Sequence, residues 1–163
     1  MEALAARVGV ALGMDTRIRA PTFDPESTFE PRRAQYSSTR LLALLLAEPT
    51  GSSRIIGVTG VDLFVPVLTF VFGEAQLDGR AAVVSSARLD PRFYGLPPDE
   101  RLHLDRLEKE AVHELGHTFG LIHCQEYRCV MRSSTYVEEI DLKGAAYCPV
   151  CLEELRERGV MGV

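Results

Sequence analysis

The sequence predicts an α+β fold, with an α/β-type N-terminal part and a small helical C-terminal part that carries metal. Three observations predict it. Short runs rich in β-branched residues recur at 54–59, 67–72 and 80–85 and read as strands. Leu104, Leu107, Ala111, Leu115 and Phe119 follow at spacings of three and four, which is the stripe of an amphipathic helix. Of the four His and four Cys in the chain, seven fall between His113 and Cys151.

Composition sets the outer bounds. A length of 163 residues suits one domain, expected to run over 1–163 with an N-terminal part at 1–123 and a C-terminal part at 124–163. Hydrophobic residues at 46% and charged residues at 25% exclude disordered and coiled-coil classes. A net charge of -5 argues against a nucleic-acid partner. The absence of Trp and a 7% aromatic content argue against base stacking. The apolar runs at 41–47 and 63–73 are too short to span a bilayer, so no membrane partner is expected either. Only Lys109 and Lys143 are lysines in an arginine-rich chain.

Taken in order, residues 1–13 lack the basic start and unbroken apolar core of a signal peptide. They read as a first β-strand, and the chain as cytoplasmic. Residues 21–31, with three prolines, read as a loop. The leucine-rich pattern from 31 to 47 reads as a helix stopped by Pro49-Thr50-Gly51. Strands follow at 54–59, 67–72 and 80–85, with a turn at 73–79. Pro97-Pro98-Asp99 reads as the entry of the helix that carries the leucine stripe, with Asp99 or a neighbour as N-cap, and Gly120 ends it. A last helix covers 152–158 and closes at Gly159.

The chemistry lies in His113-Glu114-Leu115-Gly116-His117-Thr118-Phe119-Gly120-Leu121-Ile122-His123. Residues four apart on a helix are about 40° apart in azimuth and one turn along. His113 and His117 therefore project from one side and can share a zinc ion. Glu114 is turned about 100° from His113, too far to be a comfortable ligand but able to reach a water on the metal as general base. Gly120 lets the chain turn after the helix and return His123 as third ligand. Three neutral imidazoles leave coordination positions open, as a hydrolytic site requires. The competing reading is ordinary helix histidines. His103 lies outside the pattern and has no assigned role.

Cys124 and Cys129 form C-x4-C, and Cys148 and Cys151 form C-x2-C, separated by 18 residues. Two disulfides, or a redox-active C-x2-C, are the alternatives. Paired short spacings in a cytoplasmic chain favour a closed four-thiolate zinc site with a structural role. The expected complement is thus two Zn²⁺ per chain.

The run His113-Glu114-x-x-His117-x-x-Gly120-x-x-His123-Cys124-x4-Cys129-x-Met131-x16-Cys148-x-x-Cys151 resembles the archaemetzincins, a subgroup of the metzincin zinc peptidases. The motif covers about a quarter of the chain, with looser likeness at Gln35-Tyr36, Asp62-Leu63-Phe64 and 70–73. The resemblance implies a minimal metzincin-like zincin fold, with a twisted mixed β-sheet, a backing helix and an active-site helix. It implies a catalytic zinc on His113, His117 and His123 with Glu114 as general base. A second zinc on Cys124, Cys129, Cys148 and Cys151 is implied as well, with Met131 in a methionine turn beneath the histidines. In such a frame an edge strand pairs with an extended peptide, and residues 80–86 are the expected strand.

The expected function is zinc-dependent peptide hydrolysis, by aminopeptidase or endopeptidase action, in a monomer. The alternative is a zinc-stabilised binding or regulatory protein on the same frame, against which the intact Glu114 argues. A nucleic-acid module built on the four cysteines is disfavoured by the acidic charge.

Overall fold

The computed structural model describes residues 1–21, 23–49, 51 and 53–160. Thr22 in the expected loop, Thr50 in the expected helix stop, and residues 161–163 of the C-terminal part lie outside the described residues.

The first element is helix α1, Glu2–Leu12, and not a strand. Leu4, Val8 and Leu12 recur every four residues and are all buried, a helical period that the residue-by-residue apolarity of this stretch obscured. Gly13 closes the helix in the left-handed conformation. Arg7, which reads as an interruption in the sequence, ion-pairs with Asp105 and Glu108 at 2.5 and 2.9 Å and so docks α1 on the long helix.

A 3-10 turn at Pro25–Thr28 follows, capped by Asp24. Strands β1, Phe29–Glu30, and β2, Gln35–Ser37, form an antiparallel pair. Helix α2 spans Ser38–Ala47, so the expected helix starts seven residues late. The leucine pattern begins only at Leu41, and the residues before it are taken up by a turn with Ala34 at φ 52° and by β2.

Strand β3, Ile55–Thr59, is where the sequence places it. The expected strand at 67–72 is not formed. Val67 and Leu68 are exposed, and the Arg33 guanidinium donates to the Leu68 and Thr69 carbonyls. Only Val71 bridges to Leu63. The strands flanking this stretch are β4, Leu63–Phe64, and β5, Gly73–Ala75. The expected turn at 73–79 is therefore partly strand. Strand β6, Ala81–Ser85, matches expectation.

The mixed sheet is present as two three-stranded ladders, β1-β2-β4 and β3-β6-β5. β3 and β6 run parallel, and β5 runs antiparallel to β6. All five residues of β6 are buried. Ala81 and Val83 pack with Leu41, Leu42 and Leu45 of α2, while Val84 joins the cluster formed with the long helix. β6 is thus the covered middle strand, with helices on both faces.

Helix α3 runs Glu100–Thr118, and the Asp99 carboxylate accepts from the Leu102 N–H at 2.9 Å. The expected stripe is its core face: Leu107, Ala111, Leu115 and Phe119 are buried. Helix α4, Val137–Leu142, lies in the stretch read as irregular. Six residues are too few for periodicity to show. Helix α5, Pro149–Glu157, completes the chain. No helix among the described residues is long and apolar enough to cross a membrane.

Candidate active site

Helix α3 delivers His113, Glu114 and His117, and the turn at Gly120 delivers His123. Gly120 has φ 89°, a conformation that costs a residue with a Cβ far more than glycine. The Leu121 N–H then closes back on the Gly116 carbonyl at 3.1 Å, and the chain leaves the helix toward the histidines.

The imidazole ring centroids of His113, His117 and His123 are 4.7 to 5.3 Å apart. His113 Nδ1 lies 2.8 Å from the Val130 carbonyl, and His117 Nδ1 lies 2.7 Å from the Leu121 carbonyl. A carbonyl oxygen only accepts, so both Nδ1 atoms carry the proton and both Nε2 atoms offer a lone pair. Those two Nε2 atoms are 3.2 Å apart. Two bare lone pairs at that distance repel. A shared cation removes the repulsion, and tetrahedral ligands about 2.05 Å from zinc stand about 3.3 Å apart. The donor set therefore fits zinc.

Electrostatics agree with this. Burial holds the His113 imidazole well below its ordinary value, helped by the Lys143 charge. His117 and His123 are lowered too, chiefly by burial. In each the shift favours the neutral imidazole, the form a metal ligand must have. Burial, and next the Glu110 charge, pushes the Glu114 carboxyl well above the usual range, opposed by Lys143.

Glu114 packs against Gly73 of β5, where an added Cβ would sit 2.6 Å from its Cγ and Oε1. The cleft over the histidines is lined by Gly73, Glu74, Ala75 and Leu77 and by Ile122. The edge strand beside the cleft is thus β5. The expectation that residues 80–86 form it is overturned, because β6 is paired on both sides. Its continuous apolar run marks burial, not an edge.

Below the site, Met131 is fully buried, with its sulfur against Gly116 between the two helix histidines. Its carbonyl accepts from the Cys124 N–H at 3.0 Å. His103 lies elsewhere, with Nε2 donating to the Ser86 carbonyl at 3.1 Å.

The four cysteines converge as a second group, with all four sulfurs within 4.8 Å of one another. Cys124 and Cys148 Sγ are 3.7 Å apart, as are Cys129 and Cys151 Sγ. Four sulfurs about 2.3 Å from a central zinc stand about 3.8 Å from each other. All four are unbridged. The Glu126 and Cys148 N–H groups donate to Cys124 and Cys129 sulfur, each at 3.4 Å. Burial pushes the Cys129 thiol up, so a cation is what would hold four thiolates this close. This group also fits zinc.

Three residues with a part in this arrangement escaped the reading of the sequence. Gly73 gives no signal without its neighbour across the fold. Glu110 was visible as a second carboxylate one turn before Glu114. Lys143 was visible as one of two lysines.

The model of a family described as peptidase family M54 matches residues 13–157. An archaemetzincin of Methanocaldococcus jannaschii is 48% identical over 128 residues, covering 78% of this chain and 70% of that one. The solved structure of an archaemetzincin from Methanopyrus kandleri superposes with a TM-score of 0.81 at 38% identity, covering 98% of this chain and 86% of the other. That of a zinc-dependent peptidase from Methanocorpusculum labreanum gives 0.86 at 31% identity, covering 94% and 91%.

Proposed function

This chain belongs to peptidase family M54, the archaemetzincins, and is a zinc metallopeptidase; on that premise we propose how its own residues divide the work. His113, His117 and His123 hold the catalytic zinc, and Cys124, Cys129, Cys148 and Cys151 hold a second, structural zinc. The domain is then one unit, with an N-terminal part at 1–123 that includes the helix of the catalytic site and a C-terminal part at 124–163 that includes the four cysteines.

Bound at the histidines, zinc supplies a Lewis acid that activates water and polarises the peptide carbonyl. The Val130 and Leu121 carbonyls keep the His113 and His117 rings turned with Nε2 toward the metal position. Glu114 acts as general base: its carboxylate takes the proton from the attacking water and passes it to the leaving amine. The substrate is a peptide in extended form lying along the β5 edge, with Leu77 and Ile122 beside it.

The observation that carries this reading is the convergence of two Nε2 lone pairs at 3.2 Å beside the buried Glu114 carboxyl. The test combines zinc stoichiometry with cleavage of a peptide library by the native, Glu114→Gln and His117→Ala proteins. Two zincs in the native protein falling to one in His117→Ala, with cleavage lost in both variants, is the expected result. Equal cleavage by native and Glu114→Gln proteins would remove Glu114 as the base. No cleavage by a native protein holding both zincs would favour a binding or regulatory protein on the same frame.

A further inference from the structure

Behind the histidines lies an ion pair that peptide hydrolysis, as described above, does not use. Lys143 Nζ is 2.8 Å from Glu110 Oε1, and the two side chains are 1% and 5% exposed. Taking both charges out of water is costly, and an apolar pair would often hold the same surfaces together as well. An apolar-bodied latch is already present beside it: the buried Tyr147 ring packs on Gly116, and its hydroxyl donates to the Val112 carbonyl at 2.9 Å. The charges therefore call for a reason beyond adhesion.

The neighbours of Lys143 supply one. Beside this ion pair, its ammonium donates to the Arg132 carbonyl at 3.1 Å. The segment it begins runs beside residues 128–132, with the Gly144 N–H on the Arg128 carbonyl and the Val130 N–H on the Ala146 carbonyl. Val130 is the residue whose carbonyl orients His113, and Glu110 sits on α3 one turn before that histidine. Lys143 thus ties α3 to the segment whose Val130 carbonyl sets the His113 ring. An ammonium with three rotatable donors can serve a carboxylate and a carbonyl approaching from different directions, which the planar fork of arginine does less readily. In a chain whose other basic residues are arginine apart from Lys109, lysine stands here. Lys109 anchors the same region, donating to the Ile140 carbonyl at the end of α4.

We propose that Lys143 is a positioning residue for peptide hydrolysis: by bridging Glu110 and the Arg132 carbonyl it holds the Val130 segment in place against α3, and so holds His113 in its metal-binding orientation. This rests on the peptidase reading for its kinetic consequence but not for its geometric one.

The test uses the neutral pair Lys143→Met with Glu110→Gln, which leaves no unpaired buried charge. Zinc affinity of the histidine site, the visible spectrum of that site loaded with cobalt(II), and kcat and KM on a cleaved peptide are measured. A fall of about tenfold or more in zinc affinity or kcat, with KM nearly unchanged and an altered cobalt spectrum, is expected. Lys143→Arg, which keeps the charge, should recover part of the loss. Native affinity, kcat and spectrum in the neutral pair would overturn the proposal. Should the neutral pair not fold, Glu110→Asp withdraws the carboxylate by one methylene at constant charge. A native spectrum and kcat in that folded variant would overturn the proposal equally. Absence of turnover by the native protein would remove the peptidase reading, whereas zinc affinity and the cobalt spectrum still decide this one.

Discussion

The Cα of Gly73 faces the side chain of Glu114 so closely that a methyl group there would sit 2.6 Å from both its Cγ and its Oε1. Glycine on β5 is therefore what makes room for the carboxylate in its present rotamer. Gly73→Ala should displace Glu114 while leaving the seven proposed metal ligands in place. The expected outcome is a loss in kcat of about 10²-fold, the scale of a misplaced catalytic group. Zinc per chain should be unchanged. Steady-state kinetics beside metal analysis checks this, and native kcat in a folded Gly73→Ala protein would contradict it.

Glu114→Gln should lower kcat by about 10²- to 10⁴-fold, the usual contribution of a general base. Its effect on stability has the opposite sign. In the metal-free protein burial first, and Glu110 next, raise the Glu114 carboxyl well above its unfolded value. Between those two values the folded state keeps a proton that the unfolded chain has released. This group's contribution to stability therefore falls as pH rises from the ordinary carboxyl range toward the raised value. Glu114→Gln should flatten that fall. Urea midpoints of both metal-free proteins across the same pH range measure the difference.

Cys148→Ser removes one of four converging sulfurs and should release the zinc proposed for that group. Metal binding at such a site is folding free energy, and each kcal/mol lost moves the Tm of a domain this size by about 2–4 °C. A fall of about 10 °C or more is expected by calorimetry. The loss should also weaken zinc binding at the histidines, because Cys129 is next to Val130 and Cys124 is next to His123. Unchanged affinity there would show that the two sites are independent.

Helix α1 is held to α3 by buried apolar side chains and by the Arg7 pairs. Leu4, at 3% exposure, should cost about 2–5 kcal/mol on truncation to alanine. Arg7 and Asp105 are each 37% exposed, so the solvent-screened pair should contribute little and Arg7→Ala should cost clearly less than Leu4→Ala. Chemical denaturation of the two variants checks the order. Equal costs would mean that α1 docks by charge and not by burial.

The local elements of the site were legible in the residues themselves. The four-residue spacing of His113 and His117, the turn at Gly120, the Asp99 cap and the paired cysteine spacings are all decided within one or two turns of chain. Their geometry follows from helix period and backbone freedom alone. The leucine stripe of α3 was legible for the same reason. Where the reading failed, local apolarity had to stand for burial: residues 1–13 alternate too little to look helical, and Val67 and Leu68 are apolar yet exposed.

What the sequence determined by itself was the kind of chemistry, because the ligand residues lie close together in the chain and local geometry brings most of them together. Only the tertiary structure decided that β5 and not β6 borders the cleft, that Gly73 receives Glu114, and that Lys143 meets Glu110 across 33 positions of chain. Each of these joins segments far apart in sequence. Strand order and cross-fold contacts depend on how whole faces are buried against one another, and no short-range pattern records which faces meet.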